Sequence, residues 1–148
     1  MRLATFAAAA SLAAIATSAQ ADETRVEVRT GIVWCCGVSD ETIGLAVGHD
    51  FDLGGDLFAG VEAVADTNFD FVDPTIGVNA RLGTKVGDNT KVFGLVGYAY
   101  ETGFDFDDAV IGAGVQHNVS EKALLSLQYQ RYLDSDVNRV AVGVGLRF

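Results

Sequence analysis

At 148 residues the chain is long enough for one domain and too short for two, and with 20 acidic against 10 basic side chains it has the wrong charge to seek nucleic acid. It is 49% hydrophobic, yet no apolar stretch reaches the roughly 18 residues of a membrane-spanning helix, so the hydrophobicity is dispersed by alternation. A single proline and the lack of any low-complexity run argue against a disordered tract.

The first element is N-terminal. Arg2 precedes a nearly uncharged apolar run from Leu3 to Ala16, followed by Ala19-Gln20-Ala21. This is the pattern of a signal peptide cut after Ala21, which divides the chain into residues 1–21 and a single mature domain over 22–148. The mature part keeps all 20 acids and 9 of the bases.

From residue 24 onward, apolar residues recur at every second position in segments separated by Asp, Gly, Asn and Ser, which predicts a strand meander. The spacing predicts strands over 24–34, 42–51, 57–66, 75–85, 91–101, 109–117, 123–132 and 138–148. Tight turns are expected at 52–56, 86–90 and 118–122, and looser loops at the other connections.

One face of these strands is apolar. In chain order it carries Val26, Val28, Ile32 and Trp34, then Ile43, Leu45 and Val47, Leu57 and Val61, Ile76, Val78 and Leu82, Ile111 and Val115, Leu125, Leu127 and Tyr129, and finally Val140, Val142, Val144, Leu146 and Phe148. The other face mixes Arg25, Glu27, Arg29, Asp50, Glu62, Asn79, Arg81, Gln116, Ser126, Gln128, Gln130 and Arg139 with ten glycines. A water-soluble barrel would turn the apolar face inward and leave those glycines on an open surface, where nothing requires missing side chains. In a narrow eight-stranded lumen, glycine beside arginine or glutamate leaves room for the long side chain. The polar face therefore belongs inside and the apolar face against lipid, which strands of about ten tilted residues are long enough to cross. The fifth strand fits either way, and the set Val92, Gly94, Val96, Tyr98 and Tyr100 is the preferred outward one. Aromatics near strand ends, Trp34, Phe51, Tyr98, Tyr100, Tyr129 and Phe148, suit interfacial girdles.

The run Asp50-Phe51-Asp52-Leu53-Gly54-Gly55 leading into Leu57-Phe58-Ala59-Gly60-Val61-Glu62, with the terminal Val142-Gly143-Val144-Gly145-Leu146-Arg147-Phe148, resembles the small porin-like, opacity-type outer-membrane β-barrel family. The resemblance covers essentially all of 22–148. It implies an all-β, eight-stranded antiparallel up-and-down transmembrane β-barrel preceded by a cleaved signal peptide, with termini in the periplasm. It also implies a structural or surface role in the cell envelope of a Gram-negative bacterium, or that of a narrow porin-like pore. Implied partners are membrane lipids, lipopolysaccharide, periplasmic chaperones and the barrel-assembly machinery. Val144, Leu146 and Phe148 are similar to the signal that this machinery reads. No cofactor is implied.

With that orientation the outer loops fall near 35–41, 66–74, 101–108 and 133–137. They hold 11 acids, among them Asp70, Asp73, Asp105, Asp107 and Asp108, and no Lys or Arg. Clustered carboxylates suit Ca²⁺ or Mg²⁺ shared weakly with phosphates, but no 12-residue Ca²⁺ loop is present and no metal site is assigned. Inside, Glu27 and Glu62 are expected to pair with Arg29, Arg81 and Arg139 in a polar plug, because charges in a narrow lumen must find partners.

Lipid-modifying enzymes also use small barrels, and their chemistry needs a nucleophile beside a base. The only histidines, His49 and His117, fall near the periplasmic rim, and Ser120 follows His117 at the wrong spacing for a His-x-Ser arrangement. The expectation is a protein that is not an enzyme. Adjacent Cys35 and Cys36 at the first outer loop admit three readings: a strained, redox-labile vicinal disulfide, a soft-metal site, or two incidental thiols. With no His or third Cys nearby, the incidental thiols or a merely stiffening bridge are preferred over a functional site. Arg131, the one charge on the apolar face, is placed to snorkel toward lipid phosphates from the outer rim.

Overall fold

The computed structural model describes residues 22–68, 74–103 and 106–148. The expected signal peptide, residues 1–21, lies outside them, as do Asp70, Asp73 and Asp105 of the expected acidic loops.

Eight antiparallel strands close into one barrel: β1 (Glu23–Cys35), β2 (Val38–Gly54), β3 (Leu57–Asn68), β4 (Thr75–Val86), β5 (Thr90–Glu101), β6 (Phe106–Asn118), β7 (Ala123–Tyr132) and β8 (Asn138–Arg147). Each strand pairs with its sequence neighbour, and β1 pairs with β8 from Arg25↔Arg147 to Trp34↔Asn138. At the seam, Phe148 N–H donates to Thr24 O at 2.8 Å and Thr24 N–H to Phe148 O at 3.2 Å. Closure leaves no strand edge, so the ladder satisfies the backbone where no water is available. A 12-residue strand such as β3, β4 or β5 is about 40 Å long, and at a tilt near 45° it rises about 28 Å, enough to cross the apolar layer.

The faces are inverted relative to a protein folded in water. Val28, Leu45, Val61, Val78, Leu82, Val96 and Val144 are all more than half exposed, while Arg25, Glu27, Arg29, Glu62, Arg81 and Arg139 are buried. In water such a pattern would leave the apolar side chains exposed, whereas in a bilayer they meet acyl chains and the buried ionic ones are left to find partners in the lumen. On β5, Val92, Val96, Tyr98 and Tyr100 face outward and Phe93, Leu95 and Ala99 inward, as preferred from the sequence. The lumen is consequently not wholly polar. Phe58, Phe93, Leu95, Ala99 and Val110 pack into an apolar sector, with Tyr132 against it.

The first outer connection differs from expectation. β1 and β2 stay paired to Cys35↔Val38, so the loop expected over 35–41 is a two-residue turn, Cys36-Gly37, and Ser39, Asp40 and Glu41 are strand residues. Cys36 and Gly37 have φ of 56° and 86°, the left-handed pair that a two-residue hairpin turn requires to match strand twist. Asp66, expected at the junction of the third strand and its loop, lies within β3, and Asp107 and Asp108 belong to β6 rather than to a loop. At the other end the turns are short: Gly55-Asp56, 87–89 and 119–122.

Candidate functional site

The alternation that puts valine on the lipid face puts every second residue of β1 on the axis, so Arg25, Glu27 and Arg29 stack one above another. Arg25 is the hub. Its Nε donates to Glu27 Oε1 at 2.9 Å, Nη1 to Asp50 Oδ1 at 2.9 Å and Nη2 to Glu62 Oε2 at 2.6 Å. Arg29 binds Glu62 through both terminal nitrogens, at 2.8 and 2.6 Å, and Glu27 at 3.2 Å. Ser126 Oγ donates to Glu27 Oε2 at 2.5 Å and Asn79 Nδ2 to Glu62 Oε1 at 3.2 Å. Arg81 completes the set, 3.7 Å from Glu62 and 3.8 Å from Asp50, with its guanidinium 3.7 Å above the centre of the Phe93 ring. Three guanidiniums thus face three carboxylates in a dry space, where an unmatched charge would be far costlier than in water. The crowding explains the glycines. A Cβ on Gly48 would lie 2.5 Å from the Arg25 guanidinium carbon.

Toward the terminal end, Lys91 Nζ donates to Asp50 Oδ2 at 2.9 Å and Glu23 Oε1 at 3.1 Å, and Gln116 Nε2 to Glu23 at 2.7 Å. Arg147 lies 3.2 Å from the second Glu23 oxygen. Toward the outer end, Arg139 forms a separate bidentate pair with Asp66 at 2.6 and 2.7 Å. Of the five residues expected in the plug, Glu27, Arg29, Glu62 and Arg81 therefore meet, and Arg139 does not join them. Its partner is an acid assigned from sequence to an outer loop. Arg25, Asp50, Lys91 and Glu23 were missed as members. Their inward position was readable for Arg25 and Asp50, but their partners depend on cross-barrel distances.

Above the Arg139–Asp66 pair the outer mouth opens into a cavity of about 510 Å³, whose walls include Asp40, Glu101, Asp108 and Tyr132. Asp107 is exposed. Asp108 is instead buried and accepts from Asp134 N at 2.9 Å, Ser135 N at 3.0 Å and Ser135 Oγ at 2.6 Å, so it fastens the fourth outer loop. Arg131 points outward and pairs with Asp136 at 2.6 Å. Among the described residues no group of three or more His, Cys, Asp or Glu is arranged to hold a metal. Trp34, Tyr98, Tyr100 and Tyr129 are exposed near the outer ends of their strands, and Phe51 and Phe148 at the opposite end. Val144, Leu146 and Phe148 are exposed as well. Cys35 and Cys36 are bonded to each other.

The nearest approach to a nucleophile and base is at the terminal rim, where Thr24 Oγ1 lies 2.8 Å from His49 Nδ1 and Asp22 is 3.9 Å from the far ring nitrogen. The last distance is too long for a hydrogen bond. His117 similarly meets Thr90 Oγ1 at 3.0 Å, while Ser120 Oγ accepts from Lys122 and Ala123 N–H and caps its turn.

An eight-stranded closed sheet with an apolar exterior and an ionic interior defines a transmembrane β-barrel. The chain belongs to the outer membrane protein beta-barrel domain family, whose model matches residues 5–148, and it resides in the outer membrane. Three solved structures illustrate the likeness. A de novo designed transmembrane beta-barrel is 20% identical, with 85% of this chain and 95% of that one covered at a TM-score of 0.63. The N-terminal beta-barrel domain of Pseudomonas aeruginosa OprF is 16% identical, with 85% and 97% covered at 0.62. The attachment invasion locus protein Ail of Yersinia pestis, solved with the heparin analogue sucrose octasulfate, is 16% identical, with 86% and 98% covered at 0.56. At these identities the likeness is one of fold. No curated protein matches the chain.

Proposed function

We propose that the protein is a closed, non-conducting barrel that serves at its outer surface, as a rigid body presenting carboxylates at the height of lipopolysaccharide head groups. The occupied lumen carries this reading. Arg25, Arg29, Arg81, Glu27, Asp50 and Glu62 are each no more than 2% exposed, and their bonds cross between β1, β2 and β3 with Arg81 of β4 alongside. Eight strands enclose little more than side chains, and here the apolar sector around Phe58 and Phe93 occupies space that the ions do not.

The outer rim supports the surface role. Among the described residues its only bases, Arg131 and Arg139, are each already matched by an acid of the same chain. The remaining carboxylates and the phosphates of neighbouring lipopolysaccharide would repel unless divalent cations lie between them, which makes lipid and weakly held Ca²⁺ or Mg²⁺ the partners of this face.

Single-channel recording in planar bilayers is the test. The refolded protein is expected to give no unitary steps, and steady openings that change on Glu62→Ala would establish a pore instead. The cation component is separable: calorimetric titration with Ca²⁺ that yields no heat at millimolar ion removes it and leaves the closed body intact.

A further inference from the structure

The tip of the first outer hairpin holds chemistry that neither the lumen nor the acidic rim uses. Cys35 ends β1, Cys36 opens the turn, and their sulfurs are joined. A disulfide stabilises chiefly by closing a loop in the unfolded chain, and the effect grows with loop length. Adjacent residues close almost none. The hairpin has its own support as well, since β1 and β2 are paired without interruption from Glu23↔Asp50 to Cys35↔Val38.

The two sulfurs are not equivalent. Cys36 is exposed at the tip, whereas Cys35 is partly buried, its Sγ 3.8 Å from the carbonyl oxygen of Ser135 in the fourth outer loop. In the bridged form that sulfur carries no hydrogen. Released as a thiol, Cys35 would have an acceptor already in place. We propose that Cys35–Cys36 is a thiol-exchange site on the outer surface, taking neutral or cationic low-molecular-weight thiols. The entering thiol loses its proton to water, and its thiolate attacks the exposed Sγ of Cys36. The bond to Cys35 breaks, a mixed disulfide forms at Cys36, and the Cys35 sulfur leaves with the electron pair and takes a proton from water. The entering thiol is oxidised into the mixed disulfide as Cys35 is reduced. The reverse attack by Cys35 on Cys36 expels the thiol and restores the bridge. Exposed bridges are the ones open to such exchange.

Charge selects the partner. Asp40 and Glu41 on the same hairpin, and Asp134 in the loop against which Cys35 rests, set a negative field that repels an anionic thiol and attracts a cationic one. The site does not depend on whether the lumen conducts.

The test uses the mature barrel refolded in detergent micelles, exposed at equal concentration to cysteamine or to 2-mercaptoethanesulfonate, quenched with acid, trapped with N-ethylmaleimide and mapped by peptide mass. One cysteamine on Cys36 with one maleimide on Cys35 is expected. The cysteamine-to-sulfonate rate ratio, divided by the ratio the same two thiols show with a neutral small disulfide at the same pH, should be several-fold at low salt and approach one at high salt. An adduct on Cys35, an intact bridge after treatment, two free thiols in untreated protein, or a normalised ratio of one at low salt would each overturn the proposal. Cys35→Ser is expected to fold with unchanged heat-modifiability, and a barrel that cannot fold without the bridge would show that it is a structural clasp instead.

Discussion

Arg29 on β1 and Glu62 on β3 meet through two parallel bonds, at 2.8 and 2.6 Å, although β2 lies between their strands in the sheet. Such a pair forms only because the sheet is closed and narrow, so that side chains from strands that never pair reach the same axis. Backbone ladders hold neighbour to neighbour. The Arg29–Glu62 fork, with Arg25 bonded to Asp50 and Glu62 beside it, ties the barrel across its lumen.

Glu62→Ala therefore leaves three buried guanidiniums facing two carboxylates. Removing one partner of a buried pair costs about 3–5 kcal/mol, which is expected as a lower denaturant midpoint for the barrel refolded in micelles. Glu62→Gln keeps the shape and loses the charge, and should fall between. Replacing both partners, Arg29→Met with Glu62→Met, should recover part of the loss, because neither charge is then left unmatched. A wild-type midpoint for Glu62→Ala would contradict the ionic lock.

Glycine on the inner face is expected to be intolerant where it touches the apolar sector. An added Cβ at Gly83 would lie 2.7 Å from Phe93 Cβ and 2.8 Å from Phe58 Cε1, with the Val92 carbonyl closer still. Overpacking of this kind costs about 1–3 kcal/mol, so Gly83→Ala should unfold at a lower temperature on a heat-modifiability gel. Gly94 faces outward with nothing nearer than the Gly112 oxygen at 3.9 Å, and Gly94→Ala should match the parent protein.

Strand number and facing were legible because a period of two, repeated eight times, leaves little freedom once one face is seen to hold glycine and charge together. Even β5, which fits both registers, follows from its tyrosines, whose hydroxyls suit a membrane boundary. Partnerships inside the lumen were less legible. Arg139 and Glu62 share a face in the sequence pattern but sit at different heights, and Arg139 meets Asp66, a residue at the expected end of the third strand, across the lumen from β8 to β3. The first hairpin misled for a related reason. Asp40 and Glu41 read as loop residues by composition, yet they are held in the β1–β2 ladder opposite Val33 and Ile32, where pairing outweighs their low strand propensity.

The lipid face carries a depth-dependent expectation. Val96 lies in the middle of β5, 60% exposed and flanked by Ala80 and Ile111. Arginine near the bilayer midplane costs about 2–4 kcal/mol, and near the interface about 0–1 kcal/mol. Val96→Arg should thus lose folded yield in phospholipid vesicles, whereas Val86→Arg, at the end of β4, should fold almost normally. Equal behaviour of the two would mean that this face does not meet acyl chains.

Asp108 offers a test at the outer mouth that leaves the barrel wall untouched. Its carboxylate gathers the amides of Asp134 and Ser135 and the Ser135 hydroxyl, and so holds the fourth loop, with the Ser135 carbonyl that faces Cys35, against β6. Asp108→Ala removes all three acceptor contacts at once while the β6–β7 pairing from Val110↔Tyr132 onward stays in place. Amide exchange at 134 and 135 should therefore rise at least roughly tenfold, the change expected when a bond worth about 1.5 kcal/mol or more no longer restrains the loop. Amides in the middle of β6 and β7 should keep their protection. Faster exchange along the whole of β7 would mean that Asp108 supports the sheet itself, and unchanged exchange at 134 and 135 would mean that the loop is held by its own turn.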